Sequence, residues 1–187
     1  MYKKEKKEII SWAKRLYKKG FVEGASGNIS LKLERGRILI TTQNSYLGYL
    51  KESDLVVLDL KGNILEGNKK PTSECKLHLD IHKNFKERVV LHAHPSFTTL
   101  YFSQFKKLKT ITFEPQVYLK DFKVIPQKTY NVLNTKPVIK ALSGSSIAVL
   151  KNHGVVSLGR DFKGAFSLIE ILEKESKLNT ILKQIHG

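Results

Sequence analysis

His92 and His94 flank a single alanine at the end of VVLHAH, residues 89–94. In an extended strand, residues i and i+2 face the same way about 7 Å apart along the backbone, so the two imidazoles sit side by side as a metal chelate requires. The same pair could also be half-buried histidines satisfied by hydrogen bonds, and a third donor separates the two readings. Asn152-His153-Gly154 follows a second apolar run, SSIAVLK at 145–151, and its glycine permits a tight turn that leaves the imidazole exposed at the strand tip. Three histidines at the ends of two strands can converge on one Zn²⁺ and leave a fourth position for substrate. The single cysteine, Cys75, excludes an internal disulfide framework and any multi-cysteine zinc site, so a metal site here has to use histidine and carboxylate.

The carboxylate comes from KKPTSECKLHLDIH, residues 69–82. Glu74 falls in the first turn of a predicted helix, directly after Thr72 and Ser73, where free backbone N–H groups and hydroxyls favour an anion such as phosphate. Two other readings exist. Glu74, His78 and His82 stand at i, i+4 and i+8 and could chelate a metal along one helix face, although Leu77, Ile81 and Phe85 mark the buried stripe beside it. Glu74 alone could simply stabilise the helix N-terminus, a contribution under about 1 kcal/mol. Upstream, GASGNIS at 24–30 offers backbone amides freed by glycine and the Asn28 side chain as donors to an oxyanion.

The elements that must position these groups alternate in period. Residues 3–19 carry apolar side chains at helical spacing and stop at Gly20. NISLKLE and RILITT read as two strands turning at Arg35-Gly36, and LVVLDLKGNILEG repeats the hairpin around Gly62-Asn63. A helix follows over 73–85 with its cap supplied by Pro71-Thr72-Ser73, then the VVLHAH strand. TTLYFSQF and TKPVIKALSG read as short helices, and ITFEPQVYLKDFKVIP between them as irregular with strand pieces. SSIAVLKNHGVVSLG is a strand pair, and the last 27 residues, from Asp161, form a long helix.

At 187 residues and 41% apolar content, residues 1–187 read as one domain with its own core. No run reaches the roughly 20 apolar residues of a membrane span, and the charged amphipathic N-terminus is no signal peptide, which places the protein in the cytoplasm with no membrane partner. The net charge of +16 raises nucleic acid as a partner. Lysine, spread along the chain, supplies nearly all of it, and there are five arginines. Neither arginine forks nor basic residues interleaved with aromatics are visible, so a solvated lysine-rich surface is the expectation and nucleic acid is not.

In order along the chain, GASGNIS, ILITT, KPTSE, LHAHP and KNHG resemble the class II aldolase family, the metal-dependent sugar-phosphate aldolases and epimerases that also include adducin head domains. The resemblance covers almost the whole chain. It implies an α/β (α+β) fold, a three-layer α/β/α domain around a largely antiparallel sheet, assembled as a homotetramer with sites between subunits. It also implies that His92, His94 and His153 bind Zn²⁺, and that Glu74 is the catalytic acid/base that can also touch the metal. Gly27, Asn28, Thr72 and Ser73 match phosphate-binding positions. The implied reaction is zinc-dependent, reversible cleavage of a ketose 1-phosphate, of the L-fuculose 1-phosphate type, to dihydroxyacetone phosphate and an aldehyde. Sister activities on the same site are sugar-phosphate 4-epimerisation and methylthioribulose 1-phosphate dehydration, and a non-catalytic adducin-like module is a further reading. The family's T-P-[ST]-G phosphate loop stands here as Thr41-Thr42-Gln43-Asn44, where Gln43 could donate to phosphate and Asn44 can adopt the glycine's backbone conformation. The family's tyrosine donated across the subunit boundary has no clear counterpart, with Tyr118 and Glu114 the nearest candidates.

Overall fold

The computed structural model describes residues 1–186. Apolar alternation builds eight strands into one sheet: β1 (Asn28–Lys32), β2 (Arg37–Thr41), β3 (Leu55–Asp59), β4 (Ile64–Glu66), β5 (Val89–Ala93), β6 (Lys123–Ile125), β7 (Ile147–Leu150) and β8 (Gly154–Gly159). Their spatial order is β4-β3-β2-β1-β5-β8-β7-β6, and every neighbouring pair is antiparallel except β6 with β7. The β1–β2 hairpin turns through Arg35 and Gly36, both at positive φ (56° and 66°), a left-handed pair of the kind that tight hairpins use.

Six helices cover the sheet: α1 (Lys3–Lys18), α2 (Cys75–Asn84), α3 (Ser96–Gln104), α4 (Glu114–Tyr118), α5 (Lys136–Leu142) and α6 (Phe162–His186). One face of β5 sends Val89, Leu91 and Ala93 into a core with Ile9, Ala13 and Leu16 of α1, Phe102 of α3 and Phe162, Phe166 and Ile169 of α6. Its other face sends Val90 against Leu77 and Ile81 of α2 and Val138 and Leu142 of α5. Leu79 extends that second layer over Ile38, Ile40, Val56 and Leu58. The result is the three-layer α/β/α arrangement with a largely antiparallel sheet that the sequence implied. Burial on both faces explains why β5 and β7 read as continuous apolar runs.

Three local features differ from the sequence reading. The strand expected over 89–94 ends at Ala93, because the His94 amide leaves the ladder and donates to the Phe21 carbonyl at 2.8 Å. The stretch expected to be irregular contains the helical turn α4 and then β6, which runs parallel to β7 along the sheet edge. Glu74 lies at the N-cap of α2 rather than in its first turn, and its side chain does not cap that helix.

Candidate functional site

Cross-strand register assembles the site. Asn28 pairs directly with His92 across β1 and β5, and His92 pairs with Val156 across β5 and β8, so the start of β1, the end of β5 and the turn before β8 meet at one end of the sheet. His92 shares the face of Val90 toward α2, while His94 sits one step past the strand end. His153 comes from the β7–β8 turn, where its amide donates to the Leu150 carbonyl at 3.0 Å. The left-handed residue of that turn is Asn152 (φ 60°), and not Gly154 as the sequence suggested. Gly154 is required for space: a Cβ there would run into the Ala93 carbonyl oxygen and stand 2.7 Å from His94 Cδ2.

The three imidazoles converge. His92 Nε2 lies 2.8 Å from His94 Nε2 and 3.3 Å from His153 Nε2. Among the described residues these three histidines form the one group whose donor atoms are close enough to share a metal ion. Tetrahedral ligation with N–metal bonds near 2.0–2.1 Å separates the nitrogens by about 3.4 Å; the His92–His153 pair stands near that distance and the His92–His94 pair is closer. The chemistry of the donors fits as well. His92 Nδ1 faces the Val155 carbonyl at 2.9 Å, which places a proton on Nδ1 and turns the Nε2 lone pair toward its neighbours. That lone pair faces Glu74 Oε2 at 3.0 Å, an arrangement that a proton or a metal cation on that side must reconcile. The triad therefore suits a divalent cation.

Glu74 is 5% exposed and its carboxylate is held from three directions. Oε2 faces His92 and accepts from Asn28 Nδ2 at 3.2 Å, and Oε1 accepts from the Val132 amide at 3.3 Å. Burial opposes its charge, but the His92 ring and the hydrogen bonds from His92 and Asn28 outweigh it and hold the carboxyl far below the usual carboxylate range. Burial also opposes charge on His92, yet the Glu74 carboxylate raises that ring's pKa. Burial and the neighbouring imidazoles push His94 down to about 3, and burial pushes His153 down to about 4.

A cleft of about 430 Å³ opens over these groups. Its walls include Gly27, Asn28, Gln43, Asn44, Thr72, Ser73, Glu74, His94 and His153, so every site residue read from the sequence except the deeply buried His92 reaches it. Asn44 takes φ 60°, the glycine-like conformation expected of it. Gly27 takes φ 75°, and a Cβ there would stand 2.5 Å from Val22 Cγ1. No lysine or arginine lines the cleft among the described residues, and its charged side chains are the carboxylates Glu23 and Glu74, so the charge of +16 is displayed elsewhere and an anion's donors in the cleft are neutral amides and hydroxyls. Glu114 and Tyr118 lie on α4, away from this cleft, with the Glu114 carboxylate 3.7 Å from Lys174 Nζ.

Two results go beyond the sequence reading. Tyr130 and Asn131 also line the cleft, with the Tyr130 ring 6.0 Å from the His153 ring and Ser73 Oγ donating to Asn131 Oδ1 at 3.1 Å. Their segment has no periodicity, and only its turn-forming composition hinted at a loop. The alternative metal face of Glu74, His78 and His82 does not form: Asn28 and Ser30 occupy the ring nitrogens of His78, and Ser30 engages His82.

The fold and this site define a class. The chain belongs to the class II aldolase and adducin N-terminal domain family, whose model matches residues 7–180. An L-fuculose phosphate aldolase of Methanococcus maripaludis is 37% identical over 172 residues, covering 91% of this chain and 92% of that protein. A solved L-fuculose 1-phosphate aldolase superposes with a TM-score of 0.87 at 27% identity, covering 100% of this chain and 90% of its own. A 3-oxo-tetronate 4-phosphate decarboxylase of Haemophilus influenzae is 29% identical, covering 93% of this chain and 86% of that protein. The chain is an enzyme of the lyase class, from a family that depends on a metal, and the non-catalytic adducin-like reading falls away. No described helix is long and apolar enough to cross a membrane.

Proposed function

We propose that this protein is a Zn²⁺-dependent aldolase that reversibly cleaves a ketose 1-phosphate of the L-fuculose 1-phosphate type into dihydroxyacetone phosphate and an aldehyde. One observation carries the reading: three imidazole Nε2 atoms converge beside a buried carboxylate next to a cleft that offers amide and hydroxyl donors. His92, His94 and His153 would hold the metal. When bound, Zn²⁺ supplies Lewis-acid stabilisation of negative charge developing on the substrate's oxygens.

The remaining work falls to the chain's own side chains. In cleavage, the Glu74 carboxylate takes the C4 hydroxyl proton as the C3–C4 bond breaks and C4 becomes the aldehyde carbon; the bond's electron pair stays on C3, and Glu74 returns the proton there to complete the hydroxymethyl group of dihydroxyacetone phosphate. In condensation Glu74 removes that proton. Hydrogen bonds from the Asn28 amide and the Val132 N–H fix the carboxylate beside the histidines, so the transfer needs little reorganisation. Thr72, Ser73, Gln43 and Asn44, with the backbone near Gly27 and Asn28, would hold the phosphate through amide and hydroxyl donors and so fix the position of C3. The protein would act in the cytoplasm as a homotetramer. Phe113, Val117 and Tyr118 around α4 are strongly exposed apolar side chains suited to burial between subunits.

The test is to incubate metal-loaded protein with L-fuculose 1-phosphate and assay dihydroxyacetone phosphate. Product that disappears with a chelator and returns with Zn²⁺ supports the reading. If an intact, metal-loaded protein forms none but releases CO₂ from 3-oxo-tetronate 4-phosphate, the activity is that carried by the name of the Haemophilus relative.

A further inference from the structure

Behind Glu74, on the face of the sheet covered by α2, buried polar side chains connect end to end. Ser30 of β1 stands between two histidines of α2, its Oγ 2.6 Å from His78 Nδ1 and 2.7 Å from His82 Nε2. His78 Nε2 lies 2.5 Å from Asn28 Oδ1, and Asn28 Nδ2 reaches Glu74 Oε2 at 3.2 Å. Ser30 and His78 are fully buried and His82 is 1% exposed. The helical spacing of 78 and 82, with Glu74 at the N-cap four residues earlier, brings all three side chains onto the sheet at β1.

The direction of every hydrogen bond in this chain follows from its last member. An ionised carboxylate only accepts, so the Asn28 amide must turn its NH₂ to Glu74 and its carbonyl to His78. His78 must then carry its proton on Nε2 and leave Nδ1 bare. Ser30 O–H consequently donates to His78 Nδ1, and Ser30 Oγ accepts from His82 Nε2–H. His82 Nδ1 carries no proton in that tautomer. Burial pushes both rings down to about 3, which keeps them neutral and the ordering intact at neutral pH.

We propose that His78, oriented by Ser30 and His82, is a positioning residue that locks the Asn28 amide against Glu74 and so fixes the carboxylate for proton transfer. This rests on the reading of Glu74 as the acid/base. An Asn amide left unanchored could rotate by half a turn and present its oxygen to Glu74, replacing an attractive contact with a repulsive one. Outer partners of this kind commonly contribute about 10–100-fold in activity.

Two experiments on the full-length protein test this. Long-range ¹H–¹⁵N spectra of histidine-labelled protein at neutral pH should show His78 and His82 as Nε2–H tautomers. A proton on His78 Nδ1, or on both its nitrogens, overturns the proposal whether or not the chain cleaves any sugar phosphate. In the aldolase assay with Zn²⁺-loaded protein, His78→Gln, whose amide nitrogen reaches the Nε2 position, should retain most of kcat. His78→Asn, which replaces only Nδ1, should lose about 10–100-fold in kcat with unchanged KM and metal content. Ser30→Ala, a milder change to the fold, should mix the His78 tautomers and lower kcat in the same direction. Equal kcat for the Gln and Asn variants, a change confined to KM, or a Ser30→Ala protein with unaltered tautomer and kcat would each refute it.

Discussion

The Nδ1 atom of His92 decides much of the chemistry, because its hydrogen bond to the Val155 carbonyl turns the other nitrogen toward Glu74, His94 and His153. The i, i+2 spacing of His92 and His94 and the His-Gly pair at 153–154 were legible in the sequence, since strand periodicity dictates direction. Glu74 was legible as a carboxylate near an anion site, but not as one that points away from its own helix toward His92. Asn28 was read as a phosphate donor, whereas one of its amide hydrogens is taken by Glu74. His78 and His82 share the spacing of a metal face, and spacing does not tell which neighbour takes a lone pair; Ser30 and Asn28 do that here. At this scale the first prediction is Glu74→Gln. It keeps the volume and removes the transferable proton, so kcat should fall by about 10²–10⁴-fold while the protein still unfolds cooperatively near the wild-type temperature. Steady-state kinetics and thermal melts check both parts, and near-normal kcat would remove Glu74 from the acid/base role.

Among the elements, the sheet end formed by β1, β5 and β8 matters most, because two register pairs, Asn28 with His92 and His92 with Val156, bring the donors together. The sequence displayed the antiparallel hairpins through their turn residues, yet it could not display the β1–β5–β8 order. Those pairings span dozens of residues and leave no local signature. The short α4 and β6 were hidden for a different reason: three to five residues hold too few repeats of a helical or strand period to stand out, and β6 is recruited by parallel pairing with β7. The close approach at Gly154 carries the second prediction. Gly154→Ala forces the new methyl group against the Ala93 carbonyl and toward His94 Cδ2. Such overpacking costs about 1–3 kcal/mol, and metal affinity should fall with stability because His94 is displaced. Denaturant titration together with metal competition measures the two losses, and a variant with wild-type metal affinity would contradict the role assigned to this contact.

For the whole molecule, the three-layer arrangement gives four histidines depressed pKa values, His78 and His82 on α2 and His94 and His153 at the cleft. His78 and His82 fall to about 3 from a usual value near 6.5, so between those values the unfolded chain binds protons that the folded protein does not. Stability is therefore fully present above about pH 6.5 and declines as pH falls toward 3, by roughly 1.4 kcal/mol per pH unit for each ring once below its unfolded pKa. His94 and His153 act in the same sense, and His92, whose pKa is raised, acts in the opposite one. Urea unfolding of chelator-treated protein should show a steep loss of stability from pH 6 to 4.5, with His92 the one of these rings whose contribution changes above pH 6.5. A flat profile over that range would mean that the buried rings are not neutral. The charge of +16 had suggested an anionic partner, but the cleft itself carries no lysine or arginine among the described residues. Net charge describes a surface and not a site.

Metal analysis of the purified native protein bears most directly on the claim that three converging imidazoles hold one catalytic cation. Close to one Zn²⁺ per chain should be found, with loss of the metal in both His92→Ala and His153→Ala proteins that remain folded. A native protein that takes up no divalent metal, or variants that retain it at full stoichiometry, would contradict the account.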